Sequence, residues 1–246
     1  MRVDLYMVPG PIKEKGLAGK TLVMIDVLRA STTICYALNA GAKSVIPVSE
    51  PGEATEMRAK IGIDNSLLCG ERDGIKIENF DLGNSPLEYT EETVSGKNIV
   101  LTTSNGTRTY GRSKNSGLII TGAIVNITTV ASRVAKENND LAILCAGHME
   151  HFSIEDTICG GMLIHKLLTD EKLILELNDA ASLALLLYRS NSRALKETVA
   201  QGEHGRFLEK IGFGEDVALA AAADSIPVLP ILKDGQIKRE ENQTEP

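Results

Sequence analysis

The stretch "TLVMIDVLRASTTICYALNAG", residues 21–41, reads as a buried strand that turns directly into a helix. Residues 21–27 are almost uniformly apolar, as a strand covered on both faces requires. Ser31 can cap a helix through Leu38, with Ile34, Ala37 and Leu38 on one face and Gly41 as its terminator. The pattern recurs along the chain. "SVIPV" (44–48) precedes the helical "EATEMRAKIG" (53–62), and "NIVLTT" (98–103) precedes the turn "SNG" and a helix beginning near Thr107. "GLIITG" (117–122) leads to "ITTVASRVAKEN" (127–138), and "DLAILCAG" (140–147) leads through "HMEHF" to a helix from Ile154 to Leu168. This alternation predicts an α/β fold of layered α/β/α type, with a largely parallel or mixed sheet.

The last third is expected to be mostly helical, with segments near 179–189, 192–201, 203–211 and 215–223 separated by Gly202, Gly212 and Gly214. "IPVLPIL" (226–232) reads as a final edge strand, because Pro227 and Pro230 cannot donate ladder hydrogen bonds. No linker or repeat stands out, so one compact domain is expected over residues 1–233. Residues 234–246 read as a disordered tail, charged and without a hydrophobic pattern.

With 246 residues, 43% hydrophobic and 24% charged, the chain has a globular composition. A chain this long buries about three quarters of its unfolded surface and needs no disulfide or structural metal. A net charge of −7 argues against nucleic acid and anionic membranes as partners. No apolar run approaches the roughly 20 residues of a membrane span, and Met1–Asp4 leads into a strand rather than a signal peptide. Cys35, Cys69, Cys145 and Cys159 form no CxxC pair and read as reduced core thiols of a cytoplasmic protein. Apolar faces in the helical last third can pack on the core or on a second subunit, so a homo-oligomer is open.

Ligands of open α/β sheets bind beyond the carboxyl ends of strands, at helix N-termini. Three such ends here are unusually polar: "IDVLRAST" (25–32), "LTTSNGT" (101–107) and "CAGHMEHFSIED" (145–156). The polar stretch "GERDGIKIENFDLGNSP" (70–86) is a candidate loop over the same edge. Asp26 is either a nucleophilic or metal-binding carboxylate, or an aspartate satisfied by nearby backbone N–H groups. Arg29 suits a phosphate or carboxylate through its planar fork, with a surface salt bridge as the alternative. Glu155 and Asp156 start a helix, where Ser153-x-x-Asp156 also resembles a capping box. Together with Asp26 they would make an oxygen-rich site of the kind Mg²⁺ prefers. His148-x-x-His151 is a weak zinc signal without a helical HExxH frame, and His165 and His204 read as helix-face residues. GxSxG, Walker A and GxGxxG patterns are all absent.

"IDVLRASTT", "GERDGIKIENFDLGNSPLE", "LTTSNGTR", "TGAIVN" and "FSIEDTICGG", followed by "LEKIGFGED" and "VLPIL", resemble the 2-phosphosulfolactate phosphatase family in content and order. The likeness covers nearly the whole chain. It implies a Mg²⁺-dependent hydrolase for a small anionic phosphorylated 2-hydroxy acid, which in the named reaction converts phosphosulfolactate to sulfolactate and phosphate on the way to coenzyme M. Matching positions include Asp26, Arg29, Glu71, Arg72, Asn84, Ser85, Asn105, Thr107, Glu155 and Asp156. Asp26, Arg29, Glu155 and Asp156 are expected to be catalytic, with Asp26, Glu155 and Asp156 holding the metal. Ser31, Glu71, Arg72, Asn84, Ser85, Thr103, Asn105, Gly106 and Thr107 are expected to bind substrate, and Arg108 is a further candidate cation. A non-catalytic receptor for small anions, or a phosphatase for another 2-phospho-hydroxy acid, is the rival reading.

Overall fold

The computed structural model describes residues 1–10, 16–106, 110 and 117–240. The strands are β1 (Arg2–Tyr6), β2 (Thr21–Ile25), β3 (Ser44–Pro47), β4 (Ser66–Arg72), β5 (Ile75–Lys76), β6 (Asn98–Thr102), β7 (Ile119–Gly122), β8 (Leu141–Cys145), β9 (Glu176–Leu177), β10 (Pro230–Lys233) and β11 (Gln236–Arg239). The helices are α1 (Ala30–Asn39), α2 (Pro51–Ile61), α3 (Glu91–Val94), α4 (Ile127–Glu137), α5 (Ile154–Thr169), α6 (Asp179–Asn191), α7 (Leu195–Gln201), α8 (Glu203–Lys210) and α9 (Gly214–Ala220). The strands join in the order β5-β4-β6-β3-β11-β10-β7-β2-β8-β1-β9.

Two parallel groups make up this sheet. β7, β2, β8, β1 and β9 run parallel, as do β3, β6 and β4. The β10–β11 hairpin lies between them, antiparallel to a strand on either side and joined to each through one register pair, Ile231↔Ile120 and Ile237↔Val45. Period-2 alternation assigns the faces. Val23, Ile25, Leu141 and Ile143 share a core with Ile127 and Val130 of α4, Ile158 and Leu163 of α5, and Ala184 of α6. Leu22, Met24 and Leu144 point the other way. They share a second core with Ile34 and Leu38 of α1 and with Val45, Ile99 and Leu101 of the other group. α1 therefore packs between the two strand groups, and α2 covers the far face of the second through Ala54 against Leu68 and Val100. This is the expected layered α/β architecture, with a helical stretch from α6 to α9.

Three local expectations are corrected. Residues 236–239 are not tail: β11 lies inside the sheet, its Ile237 fully buried. Asp234 (φ 52°) and Gly235 (φ 75°) form a two-residue hairpin turn, so "KDGQ" is a hairpin signal that the charged composition hides. β10 is likewise interior rather than an edge, because Pro227 precedes the strand and Pro230 is its first residue, where a missing N–H is tolerated. Ser31 is not a side-chain cap, since it lies within α1 and its Oγ accepts from the Asp26 N–H (2.9 Å). The helix expected near Thr107 lies largely outside the described residues.

Candidate active site

Asp26 follows β2 directly, where the strand ends and the chain turns toward α1. The Ala30 N–H donates to its Oδ1 (3.2 Å), and Gly106 packs so closely that an added Cβ would lie 2.4 Å from Oδ2. The side chain is buried but opens into a cavity of about 380 Å³. Burial, and then the nearby Asp156, Glu71 and Glu155 charges, push its carboxyl well above the usual carboxylate range.

The carboxyl ends of four strands supply the walls. β4 and its turn give Glu71, Asp73 and Gly74, and the segment after β6 gives Thr103, Ser104 and Asn105. His148 and Met149 follow β8, Asn84 comes from the loop after β5, and α8 adds Glu203, His204 and Phe207. The two strand groups meet at the cavity where Gly106, beyond β6, reaches Asp26 at the end of β2, and within the second group the Ser104 N–H donates to Glu71 Oε1 (2.8 Å). Glu71 also accepts from the Gly74 N–H through Oε2 (2.8 Å), which holds the β4–β5 turn against the cavity.

Arg29 is almost completely buried and is no surface ion pair. Its Nη1 donates to Asp216 Oδ2 (2.7 Å), its Nη2 donates to the Gly74 carbonyl (2.7 Å), and Phe213 stacks 4.2 Å from the guanidinium carbon. Ser85, expected to meet substrate, instead donates through Oγ to Asp216 Oδ1 (2.7 Å). Asn84 lines the cavity, its buried Oδ1 without a hydrogen-bond partner among the described residues. Arg72 does not line the cavity. It is held outside by the Glu71 and Ser49 carbonyls, Thr102 Oγ1 and the Glu50 carboxylate. Strand pleat explains this, since Glu71 and Arg72 are consecutive in β4 and point to opposite faces. Gly106 touches the site through Asp26, Ser31 braces the turn, and Thr107 and Arg108 lie outside the described residues.

Glu155 and Asp156 separate in the same way at the start of α5. Asp156 accepts from the Val27 N–H (2.8 Å) through Oδ1 and the Gly147 N–H (3.0 Å) through Oδ2, tying the ends of β2 and β8 together. Burial and the Glu155 charge nevertheless raise its carboxyl to about 7. Glu155, raised by burial to about 7, opens onto an adjoining cavity of about 280 Å³. Its Oε1 lies 3.4 Å from His204 Nδ1, and His204 stacks on His148 with ring centroids 4.0 Å apart. The two rings line both cavities. Burial, then the Arg29 charge, lowers His204 to about 4, so the ring is neutral at pH 7. The role of His204 was invisible in sequence because nothing in a short polar helix says which side meets a strand end, and Asp216 was hidden for the same reason.

Mg²⁺ was expected on Asp26, Glu155 and Asp156. Those three do not face one point: Asp26 lines the first cavity, Glu155 lines the second, and Asp156 lines neither. Among the described residues no group of three or more His, Cys, Asp or Glu side chains is arranged to hold a metal. Asp26 and Glu71 do share the cavity, with both Glu71 oxygens accepting backbone N–H groups from Ser104 and Gly74.

A family model described as 2-phosphosulpholactate phosphatase matches residues 6–235. A "Probable 2-phosphosulfolactate phosphatase" of Caldanaerobacter subterraneus is 39% identical over 240 residues, covering 97% of this chain and 98% of that one. Proteins of the same description from Clostridium acetobutylicum and Carboxydothermus hydrogenoformans are 39% and 40% identical, each over 96% of this chain and over 100% and 96% of their own lengths. The ordered motifs and the matches agree across almost the full length: the chain belongs to the 2-phosphosulfolactate phosphatase family of phosphomonoester hydrolases.

Proposed function

We propose that this protein is a cytoplasmic, Mg²⁺-dependent phosphatase that converts 2-phosphosulfolactate to sulfolactate and phosphate, a reaction of the coenzyme M biosynthetic type. The observation that carries this reading is Asp26, a buried carboxyl of raised proton affinity opening into a cavity that Arg29 also lines. A receptor for anions would gain nothing from that carboxylate beside its ligand. Hydrolysis requires a group that manages the attacking water.

Arg29 directs N–H donors beyond those bound to Asp216 and Gly74 toward the nonbridging phosphoryl oxygens, offsetting charge where it develops. Thr103, Ser104 and Asn105 position the rest of the substrate. Asp26 takes a proton from the water that attacks phosphorus as the bond from phosphorus to the 2-oxygen breaks, and that oxygen takes a proton from solvent to leave as the alcohol. Asp26 and Glu71 would hold Mg²⁺, which, when bound, neutralises charge on the phosphoryl group. Asp156 acts through the backbone of Val27 and Gly147 and keeps Asp26 at the cavity.

Phosphate release is measured from 2-phosphosulfolactate, 2-phospholactate and further 2-phospho-hydroxy acids, with Mg²⁺ and with EDTA. The expected result is Mg²⁺-dependent release that favours the sulfonate. Binding without turnover of any substrate would restore the anion-receptor reading. Quenching during turnover is expected to leave no acyl phosphate on the protein; one trapped on Asp26 would replace water attack by attack of the carboxylate.

A further inference from the structure

The helical stretch that follows the main α/β units contributes a buried contact to the site that no general account of strand-end chemistry requires. Asp216, in α9, is 1% exposed and Arg29 is 3% exposed. Their 2.7 Å contact spans a sequence separation of 187 residues. Both carboxylate oxygens of Asp216 are used, Oδ2 by Arg29 and Oδ1 by the Ser85 hydroxyl (2.7 Å). The Arg29 guanidinium carbon lies over the ring of Phe213, just before α9, 4.2 Å from its centroid, and the Gly74 carbonyl accepts from Nη2.

A guanidinium is planar, so these contacts remove its freedom to turn. Two N–H groups are fixed by Asp216 and Gly74, one face is covered by Phe213, and the remaining donors of the five keep one direction. Arg29 also lines the cavity, so that direction is set relative to the substrate space. A buried arginine–carboxylate pair has little net value for stability compared with apolar residues of the same volume. Its effect is on orientation, which transition-state stabilisation by fixed donors rewards steeply.

We infer that Asp216 is a positioning residue for catalysis: it holds the Arg29 guanidinium in the orientation that meets the phosphoryl group, with Phe213 and Ser85 fixing the pair. The inference rests on the proposed phosphatase reading, in which Arg29 touches the phosphoryl oxygens. It makes α9 part of the active site rather than a cover for it.

The test is a double-mutant cycle on kcat and KM for the full chain, using D216N, R29A and D216N/R29A, with S85A and D216E alongside. D216N is expected to lower kcat by about 10²-fold with a much smaller change in KM, since the interaction matters chiefly in the transition state. In the double variant D216N is expected to add less than about threefold to the loss from R29A, because Asp216 acts through Arg29. S85A is expected to cost less than D216N, and D216E to recover part of the rate. Full additivity of D216N and R29A would overturn the inference, as would a D216N enzyme of wild-type kcat.

Orthovanadate binding, followed by the thermal shift of each variant, supplies a readout that needs no turnover. Loss of that shift in both R29A and D216N, in proteins that still melt cooperatively, supports the pairing. A D216N protein that binds vanadate like wild type overturns it. If D216N does not fold, D216E and F213L carry the same cycle. A wild-type protein that binds vanadate but releases phosphate from no substrate sinks the phosphatase reading and leaves the Arg29–Asp216 result to stand by itself.

Discussion

At the scale of single residues, the site works by taking neighbouring carboxylates and giving them different surroundings. Asp26 and Asp156 are both buried, yet Asp156 has a backbone N–H on each oxygen, whereas Asp26 has one and opens to the cavity. Asp26→Asn is expected to lower kcat by about 10²–10⁴-fold, the range for losing a positioned acid–base group. Its melting temperature should not fall, because the amide keeps an oxygen for the Ala30 N–H and carries no charge among the neighbouring carboxylates; steady-state kinetics with a thermal melt checks both. Gly106→Ala tests the same carboxylate from outside. An added methyl would lie 2.4 Å from Asp26 Oδ2 and 2.9 Å from Ala30 Cβ, so the carboxylate must move. We expect kcat to drop at least about tenfold while KM changes little, a displacement of a reacting group being costly even when small.

At the scale of elements, two contacts hold the cavity floor. Asp156 joins the end of β2 to the end of β8, and α5 carries it there. Asp156→Asn turns one acceptor into a donor facing a buried N–H, which costs about 1–3 kcal/mol. Hydrogen exchange should accelerate at the Val27 and Gly147 amides first, and the urea midpoint should fall. α5 also crosses α6 so closely that a Cβ on Gly161 would lie 2.0 Å from the Ala184 carbonyl oxygen. Backbone cannot yield as a side chain does, so Gly161→Ala is expected to cost about 3 kcal/mol by overpacking. A urea midpoint unchanged from wild type would show that the two helices slide apart without penalty.

At the scale of the molecule, the buried carboxyls make stability depend on pH. Glu155 and Asp156 are raised to about 7 in the folded protein, above their unfolded values, so folding takes up protons between those limits. Their stabilising effect is full at low pH and is lost as pH rises through about 7. His204, lowered to about 4, has the opposite slope, but only below its unfolded value near 6.5. Between about pH 6.5 and 8 Glu155, Asp156 and the likewise raised Asp26 therefore act in one direction, and the melting temperature measured in EDTA should fall across that window. Glu155→Gln should flatten the fall; an equally steep decline in that variant would assign it to other groups.

The strand–helix order, the polar strand ends and the place of Asp26 at one of them could be read from the chain, because period-2 and helical patterns and turn residues are local properties of sequence. The β10–β11 hairpin was concealed, since the charged "KDGQIKRE" has only Ile237 to announce a strand that neighbouring strands flank on both sides. The family resemblance nominated Arg72 and Ser85 to meet substrate, and residue types nominated Glu155 and Asp156, with Asp26, to hold a metal. The pleat of β4, the turn of α5 and the placement of α9 sent each to a different partner. What sequence alone determined is therefore the kind of chemistry and the family. Tertiary structure decided which oxygens face the cavity and that Asp216, 187 residues from Arg29, holds its guanidinium, because side-chain direction and long-range pairing exist only once the chain is packed.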